Sequence, residues 1–306
     1  MDKHLLFISG NDIDYFYEVE SFLGKGDAGM AKPLYKAVGG CVLNAACVAS
    51  KLGSNVKVLD YLKEEDDDTK LLINSLLEYG VNIDNIVYGK DVTNGQCLIM
   101  KKDDEKCIYV IEPKRPYFNE DEKIKELLFN SKYIYSLLHT LNLSFKTVDI
   151  LKEAKINGSK IIFDGSSLYK EEYEKEMLLQ LADGLFINSD SYKRLKDVCG
   201  FEPIDYLINR GCEFICLTEG GKGATCYTKE KIYKCPAYKI DVIDSTGAGD
   251  SFAGCFLHFR SLDYSYEECL KLASLNGSYA CSKNGGRAGA ISEKELFDFR
   301  KNYTKI

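Results

Sequence analysis

Asp244-Ser245-Thr246-Gly247-Ala248-Gly249-Asp250-Ser251-Phe252-Ala253-Gly254 is the most informative stretch of this 306-residue chain. Residues 237–243 before it form a β-like run, and residues 251–260 after it read as a helix. The glycines therefore lie in a turn that opens a helix. Without side chains there, backbone N–H groups can converge on one spot, and the helix dipole adds positive potential to it. That is an anion site, suited to a phosphate or to a developing phosphoryl charge. Asp250 stands at its mouth, where a carboxylate repels an anion. Two readings of it stay open: a base that takes a proton from an attacking hydroxyl, or an acidic residue capping a helix.

Other phosphate motifs are excluded. No G-x-x-x-x-G-K-[ST] occurs. Gly247, Gly249 and Gly254 are spaced G-x-G-x-x-x-x-G, which is not the dinucleotide fingerprint, and they come late in the chain. Both facts count against a dehydrogenase.

Working outward, residues 5–9 read as a buried first strand ending in a polar turn at residues 10–14. Residues 15–36 have no helical period and read as an excursion of short strands. Gly39-Gly40 precedes a helical run over 42–52, with Gly53 as its C-terminal stop. A strand at 56–61 and an amphipathic helix at 66–79 follow. The runs 95–101 and 107–112, split by a charged turn at 102–106, give a hairpin signal. Strand-like runs at 133–137, 160–164, 184–187 and 214–218 then alternate with helical stretches such as 143–156 and 171–181. A helical run over 267–282 closes the series. This βαβα order predicts a mostly parallel sheet covered by helices on both faces. The two β-rich pieces, about 15–36 and 93–112, predict one small sheet lying as a lid over the C-terminal edge of the main sheet, where open α/β sheets bind ligands. One domain spanning 1–306 is expected.

Composition agrees with an ordinary soluble enzyme: 45% hydrophobic, 28% charged, net charge −7. No Lys/Arg-rich run marks a nucleic-acid binder. No apolar run approaches the ~20 residues of a membrane span, and residues 1–10 do not read as a signal peptide. A cytoplasmic protein is expected. The 12 cysteines include no CxxC pair, and only 3 histidines accompany them, so buried free thiols are expected rather than zinc or disulfides.

The 244–254 stretch resembles the C-terminal signature of the PfkB (ribokinase-like) carbohydrate kinases, D-[ST]-x-G-A-G-D. Gly39-Gly40-Cys41-Val42-Leu43-Asn44-Ala45-Ala46 resembles their N-terminal signature, a glycine pair followed four residues later by Asn and Ala. The resemblance covers essentially the whole chain and implies a three-layer α/β/α sandwich with a small β-sheet lid. It implies an ATP- and Mg2+-dependent kinase acting on a hydroxyl of a sugar or sugar-like molecule. Asp250 would be the base, and the amides of Gly247, Ala248 and Gly249 would hold the transferring group. Asp14, Gly39, Gly40 and Asn44 would bind the substrate. Asn188, Thr218, Gly220, Gly223, Gly247, Gly249 and Asn276 would contact ATP, Leu217–Ala224 matching the family's T-x-G-x-x-G turn. Residues 284–290 would close over the nucleotide. Together with Asp244 and Thr246 they would offer oxygens to K+. A homodimer through the lid is a further expectation.

The sequence departs from the family in three places. Asn188-Ser189-Asp190-Ser191 stands where N-x-x-E is usual, so either Asp190 or water replaces the magnesium-organising glutamate. Cys41 replaces a lysine, and Leu138 stands where ribose kinases carry a glutamate. Ribose is therefore not a secure substrate; fructose, a deoxy or keto sugar acid, and nucleosides stay open. Lys32, Lys114 and Arg115 lie near the lid, where a substrate phosphate is one partner for them, but they read first as solvated surface charge. The alternatives are a nucleoside kinase and a catalytically silent sugar- or nucleotide-binding regulator, against which the retained Asp250 argues.

Overall fold

A computed structural model describes residues 3–103, 105–142, 144–165 and 179–303. Strand β1 (His4–Ile8) is buried at every position. Leu5 and Phe7 enter one core cluster, Leu6 and Ile8 the other. The two-residue period of a strand makes this division, and burial on both faces marks an interior parallel strand.

Around β1 a nine-stranded sheet assembles from β4 (Val56–Lys63), β5 (Asn82–Gly89), β8 (Ser131–Leu137), β9 (Lys160–Asp164), β10 (Gly184–Asn188), β11 (Phe214–Thr218), β12 (Ala224–Tyr227) and β13 (Ile232–Cys235). The order is β13-β12-β11-β10-β9-β8-β1-β4-β5. It is parallel from β5 to β11, and the last two strands return antiparallel. One core cluster packs α1 (Cys41–Lys51), α8 (Ala248–Ser261) and α9 (Tyr266–Cys281) against the sheet. The other packs α3 (Glu122–Phe129), α5 (Asp149–Ile156) and residues of α6 (Ser189–Cys199) and α7 (Pro203–Asn209). The architecture is the expected three-layer sandwich. The remaining helices are α2 (Asp67–Glu78), α4 (Leu138–Asn142) and α10 (Glu293–Arg300). No helix among the described residues is long and apolar enough to cross a membrane.

A second sheet has the order β3-β2-β6-β7, from β2 (Asp12–Val19), β3 (Ala31–Gly39), β6 (Gly95–Lys102) and β7 (Glu105–Ile111). This is the lid. Helix α2 latches it: Tyr15 Oη and Lys36 Nζ both donate to the Asp68 carboxylate, the latter at 2.7 Å.

Three readings change. Residues 10–14 are not all turn: β2 begins at Asp12, so Asp14 belongs to a lid strand. Residues 237–243 are not a strand. β13 stops at Cys235 before Pro236, which has no N–H for a ladder, and the chain then crosses to α9, where Ile243 N donates to Cys281 O at 2.8 Å. The helix read over 143–156 starts at Asp149. The helix read over 171–181 lies mostly outside the described residues.

Candidate active site

Two helices that start at glycines define the site. Gly40, before α1, has φ +94°, and a Cβ on it would lie 2.0 Å from Gly10 O. Gly247, before α8, has φ +76°, and a Cβ would lie 2.0 Å from Gly286 O. No other residue fits either turn. Further along α8, a Cβ on Gly254 would sit 2.3 Å from Ala45 O. The missing side chain lets α8 and α1 approach closely, and this sets Asp250 beside Asn44: Asn44 Nδ2 donates to Asp250 Oδ2 at 2.7 Å.

Other carboxylates converge. Asp12 and Asp14 share one face of β2, two residues apart. Gly39, opposite in β3, makes room: a Cβ there would meet the Asp14 carboxylate at 2.6 Å. Asp164, at the C-terminal end of β9, is buried and accepts from Tyr135 Oη at 2.7 Å. Burial pushes the Asp250 carboxyl from 3.8 up to about 7; Asp164 and Asp14 add to the rise, and the Asn44 bond and Arg287 oppose it. Burial likewise raises Asp12 to about 6, against the pull of Arg115 and with the push of Asp14 and Asp60. Asp14 is raised by burial and eased by Cys97, Lys106 and Arg287. Cys41 lies among Asp164, Asp250 and Asp12, and burial holds its thiol neutral. A carboxyl raised toward neutrality by burial and by neighbouring carboxylates is a mark of a functional site.

The start of α8 also walls a cleft of about 760 Å³. Asn188, Asp190, Thr218, Gly220, Gly223 and Gly249 line it, as does Ala248. Asp14, Asn44 and Asp250 are not among its walls. Ala248 and Gly249 therefore wall the cleft, Gly247 does not, and Asp250, next in the chain, bonds Asn44 on α1. The Cβ position of Gly249 meets nothing within 4 Å, so this wall is open to a bound group.

Several readings need correction or extension. Asn276 does not line the cleft: it is fully buried, and its Nδ2 donates to Ser251 O at 3.2 Å. Its neighbours Ser274, Gly277 and Ser278 face the cleft instead. Residues 284–290 are absent from the cleft walls as well. They pack behind the turn, where Asp244 accepts from Thr246 N at 2.9 Å and Gly285 N at 3.0 Å. Each carboxylate oxygen of Asp244 accepts one of these bonds and keeps a second lone pair. Asn188 caps α6 by accepting from Ser191 N at 2.8 Å, and Ser191 is buried, whereas Asp190 is exposed on the cleft wall. Leu138 is buried in the core. Arg115 is not solvated: its side chain is 6% exposed and pairs with fully buried Asp60. Lys32 and Lys114 are exposed as read.

The sequence reading missed Asp12, Asp164, Lys106 and Arg287. Lys106, on lid strand β7, donates to Thr246 Oγ1 at 3.3 Å. Asp12 had a signal, since its alternation with Asp14 marks a shared strand face. The others come from segments with no motif.

A fold of three layers with a β lid, whose glycine turn presents amides beside a raised carboxyl, defines a small-molecule phosphotransferase. The pfkB family carbohydrate kinase profile matches residues 3–293. A nucleoside kinase of Methanocaldococcus jannaschii is 26% identical over 278 residues, 89% of this chain and 88% of that protein. The fructosamine kinase FrlD of Bacillus subtilis is 26% identical, covering 92% of each. Among solved structures, Arabidopsis thaliana ribokinase complexed with ribose and ATP superposes with a TM-score of 0.84 at 20% identity, over 98% of this chain and 99% of that one. The protein belongs to the pfkB family of carbohydrate kinases and is a phosphotransferase with an alcohol group as acceptor.

Proposed function

We propose that the protein transfers the γ-phosphoryl group of ATP to a hydroxyl of a sugar or nucleoside, with Asp250 as general base. The observation that carries this reading is that Ala248 and Gly249 wall the open cleft while Asp250, next in the chain, is bonded to Asn44 on α1. A hydroxyl held against Asp250 gives its proton to the carboxylate. Its oxygen forms the new P–O bond on the cleft side, and the bond to ADP breaks. The amides of Gly247, Ala248 and Gly249 hold the charge that spreads over the phosphoryl oxygens. Asp14, Gly39, Gly40 and Asn44 bind the remaining hydroxyls, the Asp14 carboxylate accepting from them and the Asn44 amide donating.

Thr218, Gly220 and Gly223 line the nucleotide side. A cleft wall of glycine and small residues fits a triphosphate, and Asp190 there fits Mg2+, which neutralises the phosphates when bound. Lys106 joins the lid to the phosphoryl turn, so a lid that closes on substrate also brings a cation to that turn. Carbonyl oxygens around Asp244 and Thr246 are the donors K+ would use. Tyr35, Ile108 and Val110 are exposed on the lid face that carries Asp14, which supports a homodimer formed through the lid.

Four carboxylates around one pocket favour neutral or amine-bearing polyols over sugar acids, whose charge they would repel. The relatives named nucleoside kinase and fructosamine kinase agree with that range. The test is coupled ADP release across sugars, amino sugars and nucleosides, with and without K+. Turnover with a neutral or cationic polyol is expected. A pure protein that consumes no ATP with any of them ends this reading.

A further inference from the structure

The loop after α9 sends Arg287 inward, where it is 8% exposed. Its Nε donates to Asn44 Oδ1 at 3.1 Å, and Nη1 donates to Ser75 Oγ on α2. Its Nη2 is buried and makes no hydrogen bond among the described residues. The same Asn44 donates its Nδ2 to Asp250 at 2.7 Å. Three elements, α1, α2 and this loop, are therefore tied to the start of α8 through one amide.

We infer that Arg287 is a positioning residue that locks the Asn44 amide as a donor toward Asp250 and so holds the base in its ionised form. This rests on the reading of Asp250 as the base. A guanidinium can only donate, and a carboxylate can only accept. With Arg287 on one side, Oδ1 must face it and Nδ2 must face Asp250. Without Arg287 the amide is free to turn over. Oδ1 would then accept from a neutral Asp250 carboxyl, and the unreactive protonation state would gain the hydrogen bond instead. Arg287 thus selects which form of Asp250 the asparagine supports.

The charge of Arg287 works in the same direction. The groups facing Asp250 are Asp14 from β2, Asp164 from β9, and the neutral acids Cys41 from α1 and Tyr135 from β8. Arg287 is the cation that opposes them. The sequence hides this role, because Arg287 follows Asn44 by 243 positions in a glycine-rich loop that reads as a nucleotide flap.

Two substitutions separate positioning from packing. Arg287→Lys keeps a donor-only cation, whereas Arg287→Gln adds an acceptor that can pair with a turned amide. In Arg287→Gln, loss of the charge and of the fixed amide raises the Asp250 carboxyl. The acid limb of kcat/KM should move up by about one pH unit, with the change mainly in kcat. Arg287→Lys should stay closer to wild type. The same titration is read without turnover by 13C NMR of labelled aspartates, with Asp250 assigned by its loss in Asp250→Asn. Ser75→Ala frees one anchor of the guanidinium and should move the carboxyl the same way by a smaller step, which keeps the test available if Arg287→Gln does not fold. Folded variants in which the Asp250 titration stays put, or in which Lys and Gln shift it equally, overturn the inference. A wild type whose Asp250 responds as described but transfers no phosphoryl group sinks the base reading and leaves the Arg287 contact standing.

Discussion

Asp250→Asn should abolish turnover and also stabilise the protein, and the two effects have one cause. The folded carboxyl titrates at about 7 against 3.8 for a free one. Between those values the folded state holds a proton that the unfolded chain has released. Folding is therefore helped at the acid end, and stability falls as pH rises from about 4 through 7. The full gap of about 3 units corresponds to about 4 kcal/mol at pH 9, an upper bound. Asparagine removes the charge while its side-chain oxygen can still accept from Asn44 Nδ2. At about 2 °C per kcal/mol for a chain of this size, the variant should melt about 5–8 °C higher at pH 9. The difference should vanish below about pH 4, where both side chains are neutral. Turnover should fall by a factor of about 10²–10⁴ or more. Nucleotide affinity should hold, because Asp250 is not a wall of the cleft. Thermal melts from pH 4 to 9, coupled ADP release at pH 8 and ADP titration read all three. A melting difference that is flat with pH would mean that the carboxyl is not desolvated. Near-normal turnover would remove Asp250 as the base.

Gly249→Ala places a methyl where nothing lies within 4 Å, so its melting point should stay within about 1 °C while ADP release falls at least about tenfold, since the methyl enters the space of the transferring group; unchanged kinetics would count against the amide turn. Gly254→Ala forces a Cβ to within 2.3 Å of Ala45 O and should cost about 1–3 kcal/mol in a denaturant melt; no loss would deny the close helix approach. Lys106→Ala should lower kcat/KM about tenfold, more at low salt than at high, because the lysine is exposed and its field is screened; kinetics equal to wild type at both salts would leave the lysine without a role at the phosphoryl turn.

Much of the central sheet could be read locally. β9 and β11 match their expected spans residue for residue, because a strand buried on both faces is an unbroken apolar run between turn signals. β5, β12 and β13 were missed. β5 and β13 are the two edge strands, where mixed polarity blurs the pattern, and β12 and β13 are only four residues each: Asn82–Gly89 alternates poorly, and β13 spans only Ile232–Cys235. Residues 237–243 erred the other way, since β-prone residues with no neighbouring strand to pair with remain loop. In the site, Asp250, Asn44 and the glycine turns were legible as motifs. Asn276 was misplaced, because a helix residue's face depends on what packs against it, and here that is the backbone of α8.

The local chemistry of the chain determined the alternation of strands and helices, the glycine turn that opens a helix, and the carboxylate set beside it. These follow from residue type and short spacing, which act within a few positions along the chain. Tertiary structure alone decided that Gly254 brings α1 against α8, that Asp14 and Asp164 come up to Asp250, that Arg115 is buried on Asp60, and that Arg287 grips Asn44. Such pairings join residues far apart in sequence, and they exist only once packing has brought their backbones within reach.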